Sequence, residues 1–315
     1  MGRVVKVIFI NALTSLILIG IIELVIRQIF PNINAQGEDF HLVETKKFID
    51  TYGLKSNVEG YSMGAKIVTD ALGFRIDTSL PPVNKNKHTI IVLGDSVSLG
   101  IGVGASDTYP FILQRNLKGY QIVNASCSGY SASDYFNVLK VLLSKMDFEG
   151  VIIGICLNDF SNISQSKIKT MLESDFRIRY PNTLVRFLKY ISIEYFDYNQ
   201  YLRKYSRTCR LIKKMVTDSS KNYFFADKQF YDNPGAGHFI AIELRKIYDL
   251  ASKNRKWIVF FIFPYEYQLR QSSFRDIDIT KPQEIISEIG SRENLDIIDL
   301  YSVFRRRIEN PKLFY

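Results

Sequence analysis

The sequence is poor in two residue types on which binding and catalysis often rest: it holds three cysteines and three histidines in 315 residues. Cys127, Cys156 and Cys209 show neither CxxC nor metal-ligand spacing, which argues against a disulfide framework and against a zinc site. An isolated cysteine in apolar surroundings behaves as a small hydrophobe. No internal repeat, low-complexity tract or nucleic-acid-binding motif occurs, so a nucleic-acid partner is not expected. Nothing implies a metal or an organic cofactor. The imidazoles in this sequence are those of His41, His88 and His238.

What is present is ordinary for a folded chain. An apolar content of 46% suits a sizeable core, and the length allows one large domain or two small ones. The net charge of +9 is unevenly placed. Between Lys167 and Lys214 twelve basic residues face four acidic ones, so this segment carries nearly the whole excess. Tyrosines and phenylalanines interleave with those charges, a pattern suited to a membrane surface, an anionic polymer or a partner, and equally to solvated amphipathic helices with aromatic core positions.

Residues Val7 to Ile26 carry a single charge, Glu23. Twenty residues at about 1.5 Å each match the ~30 Å hydrocarbon core of a bilayer, which predicts a membrane-spanning helix. A cleaved signal peptide, cut near Asn34-Ala35, is the rival reading, but the apolar run is longer than a usual signal core. For an uncleaved anchor, Arg3 and Lys6 keep the N-terminus cytoplasmic and put everything after Arg27 outside, in the periplasm or at the cell surface. Glu23 then lies near the far end, within reach of the interface.

The chain therefore divides into an anchor over residues 1–30, a linker and irregular collar over 31–87, and a catalytic-type domain over 88–315 with a basic aromatic helical insertion at about 163–215. In the last part, strands are predicted at Thr89–Leu93, Gln121–Asn124, Val151–Cys156, Trp257–Phe263 and Leu295–Ile298. Helices are predicted near 107–117, 132–145, 238–253, 282–289 and 303–308. Regular alternation with near-continuous apolar strands predicts a three-layer α/β/α sandwich on a mainly parallel sheet. Active groups in such sheets collect at the carboxyl ends of strands, where Ser96, the Asn124 segment and Asn158 fall.

Three blocks at those ends, Gly94-Asp95-Ser96, Asn124-Ala125-Ser126-Cys127-Ser128-Gly129 and Asn158-Asp159, taken in this order resemble the first three blocks of the SGNH/GDSL hydrolase family. Each alone is weak, since Gly-Asp-Ser is common in turns and Asn-Asp suits a helix cap. The resemblance runs from about Tyr52 to Tyr315. It takes in Leu72-Gly73-Phe74-Arg75 and Phe263-Pro264, which look like the membrane-anchored members. It implies a flavodoxin-like sandwich, Ser96 as nucleophile, and an oxyanion hole made by the Ser96 and Gly129 backbone N–H groups with the Asn158 side-chain amide. Removing one such donor typically costs roughly 2.7 to 4 kcal/mol of barrier. Asn124-Ala125-Ser126 also fits a glycosylation sequon, discounted at a strand end that faces the site. Cys156 stands where the family often has glycine, and reads as a buried structural thiol.

The base is where the sequence departs. The family carries an Asp-x-x-His block near its C-terminus, and this chain shows none. His41 lies in the collar and His88 at the sheet edge opposite Ser96. His238 opens a helix with Gly235, not aspartate, three residues before it. Two readings follow: the sequence stops before the block, or His238 has taken the role. The resemblance implies an anchored serine esterase, deacetylase or O-acyltransferase acting on acyl esters, among them those of cell-surface polysaccharide. The alternative is a catalytically inactive relative that binds glycan or serves assembly at the membrane. Oligomeric state is not legible.

Overall fold

The computed structural model describes residues 2–29, 42–49, 51–80, 88–160, 206–216, 218–276 and 278–307. The chain forms two compact units, Met1–Glu38 with Ile163–Asp218, and Asp39–Asn162 with Ser219–Tyr315. Most of the basic aromatic segment (161–205), His41 and the tail from 308 lie outside the described residues.

In the first unit, helix α1 (Gly2–Ile29) contains one stretch, Val5–Ile29, with mean hydropathy 2.3 that is long and apolar enough to cross a membrane. Its 25 residues span about 37 Å. Glu23 turns to another element of this unit. Its carboxylate accepts from Arg27 Nε (2.9 Å), from the backbone N–H of Arg207 (2.8 Å) and Thr208 (3.0 Å), and from the hydroxyls of Ser206 (2.9 Å) and Thr208 (2.8 Å). Those N–H groups open helix α5 (Arg207–Val216) and have no intrahelical acceptor, so Glu23 caps α5 from outside.

The second unit is built on five parallel strands: β5 (His88–Gly94), β6 (Tyr120–Asn124), β7 (Gly150–Ile155), β8 (Trp257–Ile262) and β9 (Ile297–Asp299), in the spatial order β6-β5-β7-β8-β9. One face of the sheet, through Ile91, Leu93, Val151, Ile153 and Phe260, packs on helices α4 (Ala132–Lys145), α7 (Ala236–Lys253) and α9 (Lys281–Glu293). The other face, through Ile90, Val92, Ile122 and Ile152, packs on Tyr109 and Leu113 of α3 (Tyr109–Asn116). Burial on both faces is why β5 from Ile90 onward, and β7 throughout, are apolar at every position rather than alternately. Helix α4 has the bounds its sequence predicts, because its stripe of Tyr135, Val138, Leu139 and Leu142 is buried to 1% exposure or less, while Asp134 accepts from the Ser131 N–H (2.9 Å) at its start. Each such side chain contributes roughly 1.5 to 3 kcal/mol on burial.

The stretch read as an irregular collar holds two hairpins, β1 (Val43–Phe48) with β2 (Thr51–Leu54) and β3 (Glu59–Ser62) with β4 (Ala65–Val68). A further helix, α6 (Ser219–Tyr231), precedes α7, and two short ones, α8 (Glu266–Leu269) and α10 (Tyr301–Arg307), follow β8 and β9.

Candidate active site

The chain leaves β5 to pair β6 on one side, then crosses back to pair β7 on the other. At such a reversal the connections diverge and leave a crevice outside the strand ends. All three sequence blocks open onto it: Ser96 lies two residues past the end of β5, Gly129 five past β6, and Asn158 three past β7.

Ser96 begins a single helical turn, α2 (Ser96–Leu99). The turn is capped by Asp95, whose Oδ1 accepts from the Val97 N–H at 2.9 Å, and ended by Gly100 in a left-handed conformation (φ 79°). Glycine makes room beneath it. Gly94 and Gly154 face each other across β5 and β7, and a Cβ on either would come within 2.0 or 2.2 Å of Ser98 Oγ. Ser98 is fully buried and accepts from Tyr109 Oη at 2.9 Å, so the turn sits on the strand ends with Ser96 half-buried at its rim.

The second block is tied to this turn by Asn124, whose Nδ2 donates to the Ser98 carbonyl (3.0 Å) and whose Oδ1 accepts from the Ser126 N–H (3.2 Å). Asn124 has no exposed surface, so the sequon it heads is closed to modification in the folded chain. Five residues on, Gly129 is exposed with φ 81°, a conformation costly for any residue with a Cβ. Tyr52 on β2 buttresses this bend: its hydroxyl donates to the Ser128 carbonyl at 3.0 Å, and a Cβ on Gly129 would lie 2.9 Å from it. Tyr130 Oη in turn donates to the Tyr52 carbonyl (2.6 Å).

Asn158 is exposed on a 3-10 turn, Leu157–Asp159, pinned from below. Asp159 Oδ2 accepts from the Cys156 N–H (2.8 Å) and Tyr135 Oη (2.6 Å), and Tyr231 Oη donates to the Leu157 carbonyl (2.7 Å). A small cavity of about 90 Å³ opens beside Asp159, bounded by Ser131, Ser133, Phe239 and Glu243.

The floor is acidic and buried. Burial raises the pKa of Asp95, and burial together with the nearby Asp95 charge raises that of Asp159 further. Burial and the same two carboxylates push the Cys156 thiol well above its ordinary range. A thiol held protonated is a poor nucleophile, which agrees with a structural role for Cys156.

The two described histidines, His88 and His238, stand apart from this crevice. His88 lies at the start of β5, roughly 20 Å along the strand from its carboxyl end, where it pairs with Glu149. His238 is in the first turn of α7, at the correct edge of the sheet. It lies about 160° round the helix from Ile240, which faces the core, so it is turned away from the crevice.

Two residues that sequence reasoning left out of the site shape it. Tyr52 gave no signal, being one aromatic residue among many. Arg75 stood in a quoted motif without a role. It is 1% exposed, and its guanidinium donates to the carbonyls of Leu99 (2.6 Å), Gly100 (2.6 Å), Val103 (2.7 Å) and Lys66 (3.1 Å), fastening the loop after α2 to the β3–β4 hairpin. Burial lowers its pKa to about 10, so it stays charged at neutral pH.

No family model matches the chain, and no curated protein does. Solved structures with a similar fold include three with a TM-score of 0.37. A member of the lipolytic G-D-S-L family from Veillonella parvula is 12% identical, over 70% of this chain and 81% of its own. An acetyl xylan esterase is 15% identical, over 69% and 80%. An esterase of the SGNH-hydrolase family is 12% identical, over 73% and 84%.

Proposed function

We propose that the chain is a serine ester hydrolase of the SGNH/GDSL type, in which Ser96 attacks an acyl ester. What supports this reading is that a half-buried serine lies just past the end of β5, the central strand of three, with exposed Gly129 past the end of β6 and exposed Asn158 past the end of β7. Gly129 offers its N–H from the β6 side, and Asn158 its amide from the β7 side. Donors fixed on either side of a nucleophile suit an oxyanion that develops on the substrate carbonyl. The tetrahedral intermediate would collapse to an acyl-enzyme, resolved by water or by a sugar hydroxyl.

The substrate class that fits is an uncharged acyl ester, because an asparagine amide donates without a charge that would hold a carboxylate product. A helix able to cross a membrane, with Arg3 and Lys6 before its apolar run, supports an extracytoplasmic site working on acylated cell-surface polysaccharide.

A fluorophosphonate probe tests the reading. The full chain in detergent should be labelled and should release acetate from p-nitrophenyl acetate, and Ser96→Ala should lose both. An unlabelled wild-type protein that still binds acetylated glycan would instead favour the inactive, glycan-binding alternative.

A further inference from the structure

Helix α5 divides its ten residues by chemistry. At 100° per residue its four basic positions, Arg207, Arg210, Lys213 and Lys214, fall within an arc of about 120°. Leu211, Ile212, Met215 and Val216 fall within about 140° on the other side, with Thr208 and Cys209 among or beside them. No acidic residue interrupts either arc. A helix of a soluble domain turns such an apolar stripe to its core, yet Ile212 is 55% exposed. Short helices with one apolar and one Lys/Arg face lie in the boundary between lipid headgroups and acyl chains, with the apolar face about 5 to 10 Å deep.

The attachment of α5 to α1 points to the same boundary. Its first N–H groups, at Arg207 and Thr208, bond to the Glu23 carboxylate, and the Arg207 guanidinium donates to the Arg27 carbonyl at 3.0 Å. With Val7 to Ile26 filling the hydrocarbon core, Glu23 stands three residues, roughly 4.5 Å, inside its edge. A carboxylate at that depth must be hydrogen-bonded, and the donors that serve it stand at the same depth. The start of α5 is thereby fixed where headgroups meet acyl chains.

We propose that α5 is an interfacial helix of the anchor, with its apolar arc among acyl chains and its basic arc paired with anionic phospholipid headgroups of the leaflet at the far end of α1. This goes beyond the esterase reading and rests only on α1 spanning a bilayer. Guanidinium and ammonium groups on one arc suit phosphate oxygens. A soluble polyanion would satisfy that arc equally but leave Leu211, Ile212, Met215 and Val216 in water, so the two arcs together select a lipid surface.

The test is the accessibility of a nitroxide at Ile212→Cys, in a Cys209→Ser background, on the full chain in nanodiscs of phosphatidylcholine with or without phosphatidylglycerol. In the anionic discs this label should collide more often with oxygen, which concentrates among acyl chains, than with a water-soluble nickel chelate. A label at Lys214→Cys should show the reverse. Replacing Arg210, Lys213 and Lys214 with Gln should lower the ratio of immersed to exposed label at position 212 roughly fivefold for each charge removed, in anionic discs alone. A label at 212 that the chelate reaches freely in anionic discs overturns the proposal, and so does an equal effect of the Gln changes in both lipids. A label that stays in water in both discs but is immobilised by added polyglutamate overturns it in favour of an anionic polymer. A label at Leu16→Cys that the chelate reaches overturns the anchor, and this proposal with it. Fluorophosphonate labelling of Ser96 is independent of all these outcomes, so the esterase reading stands or falls separately.

Discussion

At the scale of single residues, the crevice depends as much on side chains that are missing as on those present. Gly154 lies beneath α2, where an added Cβ would fall 2.2 Å from the buried Ser98 Oγ and 2.8 Å from Tyr109 Oη, which are hydrogen-bonded to each other. Gly154→Ala should therefore cost about 1 to 3 kcal/mol, read as a lowered urea midpoint. It should also slow Ser96 labelling, because relief of the clash must lift the turn that carries the nucleophile. A mutant with an unchanged midpoint would show that α2 is not seated on the glycine floor. The placement of Ser96, Gly129 and Asn158 past three strand ends was legible in the sequence because each follows a continuous apolar run. Tyr52 and Arg75 act through backbone carbonyls 76 and 24 to 28 positions away, and no local pattern announces such a partner.

At the scale of elements, long runs with one clear period were readable and short ones were not. Helix α4 and strands β5 to β8 have nearly their expected bounds, since hydrophobic burial dictates both the pattern and the element. Strand β9 begins at Ile297 rather than Leu295 because Asn294 closes α9 in a left-handed conformation and the Leu295 N–H returns to the Gly290 carbonyl. The hairpins escaped notice because strands of four to six residues among turn residues give almost no periodicity. Helix α6 escaped because its buried Phe224, Lys228 and Tyr231 mix residue types, with Phe224 packed against Tyr265 and Tyr267. In the first unit, the start of α5 rests on the Glu23 carboxylate and on Ser206 Oγ, which accepts from the Cys209 N–H (3.1 Å), so Glu23→Ala should free the Arg207 and Thr208 amides. Removing a cap costs about 0.5 to 2 kcal/mol, which hydrogen exchange would register as faster exchange at those two positions alone. Unchanged exchange there would mean that α5 is capped by other groups.

At the scale of the whole molecule, the buried acids give stability a pH slope of unusual sign. Asp95 and Asp159 are held above an ordinary value of 3.8, so the folded state binds protons that the unfolded chain has released. Their stabilising effect is complete below about pH 4 and is lost as pH rises through their raised values. Asp232 and Glu293, held low by Lys281 and Arg245, act in the opposite sense, but only as pH falls below the ordinary carboxyl range. The thermal midpoint should fall from mildly acidic to alkaline pH, and Asp159→Asn should flatten that fall. A midpoint that rises with pH over this range would contradict the burial of these acids. The Arg75 clasp also bears on the order of synthesis. Within this unit residues 43–75 leave the ribosome early, yet three of the four carbonyls that Arg75 binds arrive 24 to 28 residues later, and the bend that Tyr52 supports arrives 76 residues later. Until then the hairpins have nothing to close upon, so the segment made earliest in this unit is among the last to find its place.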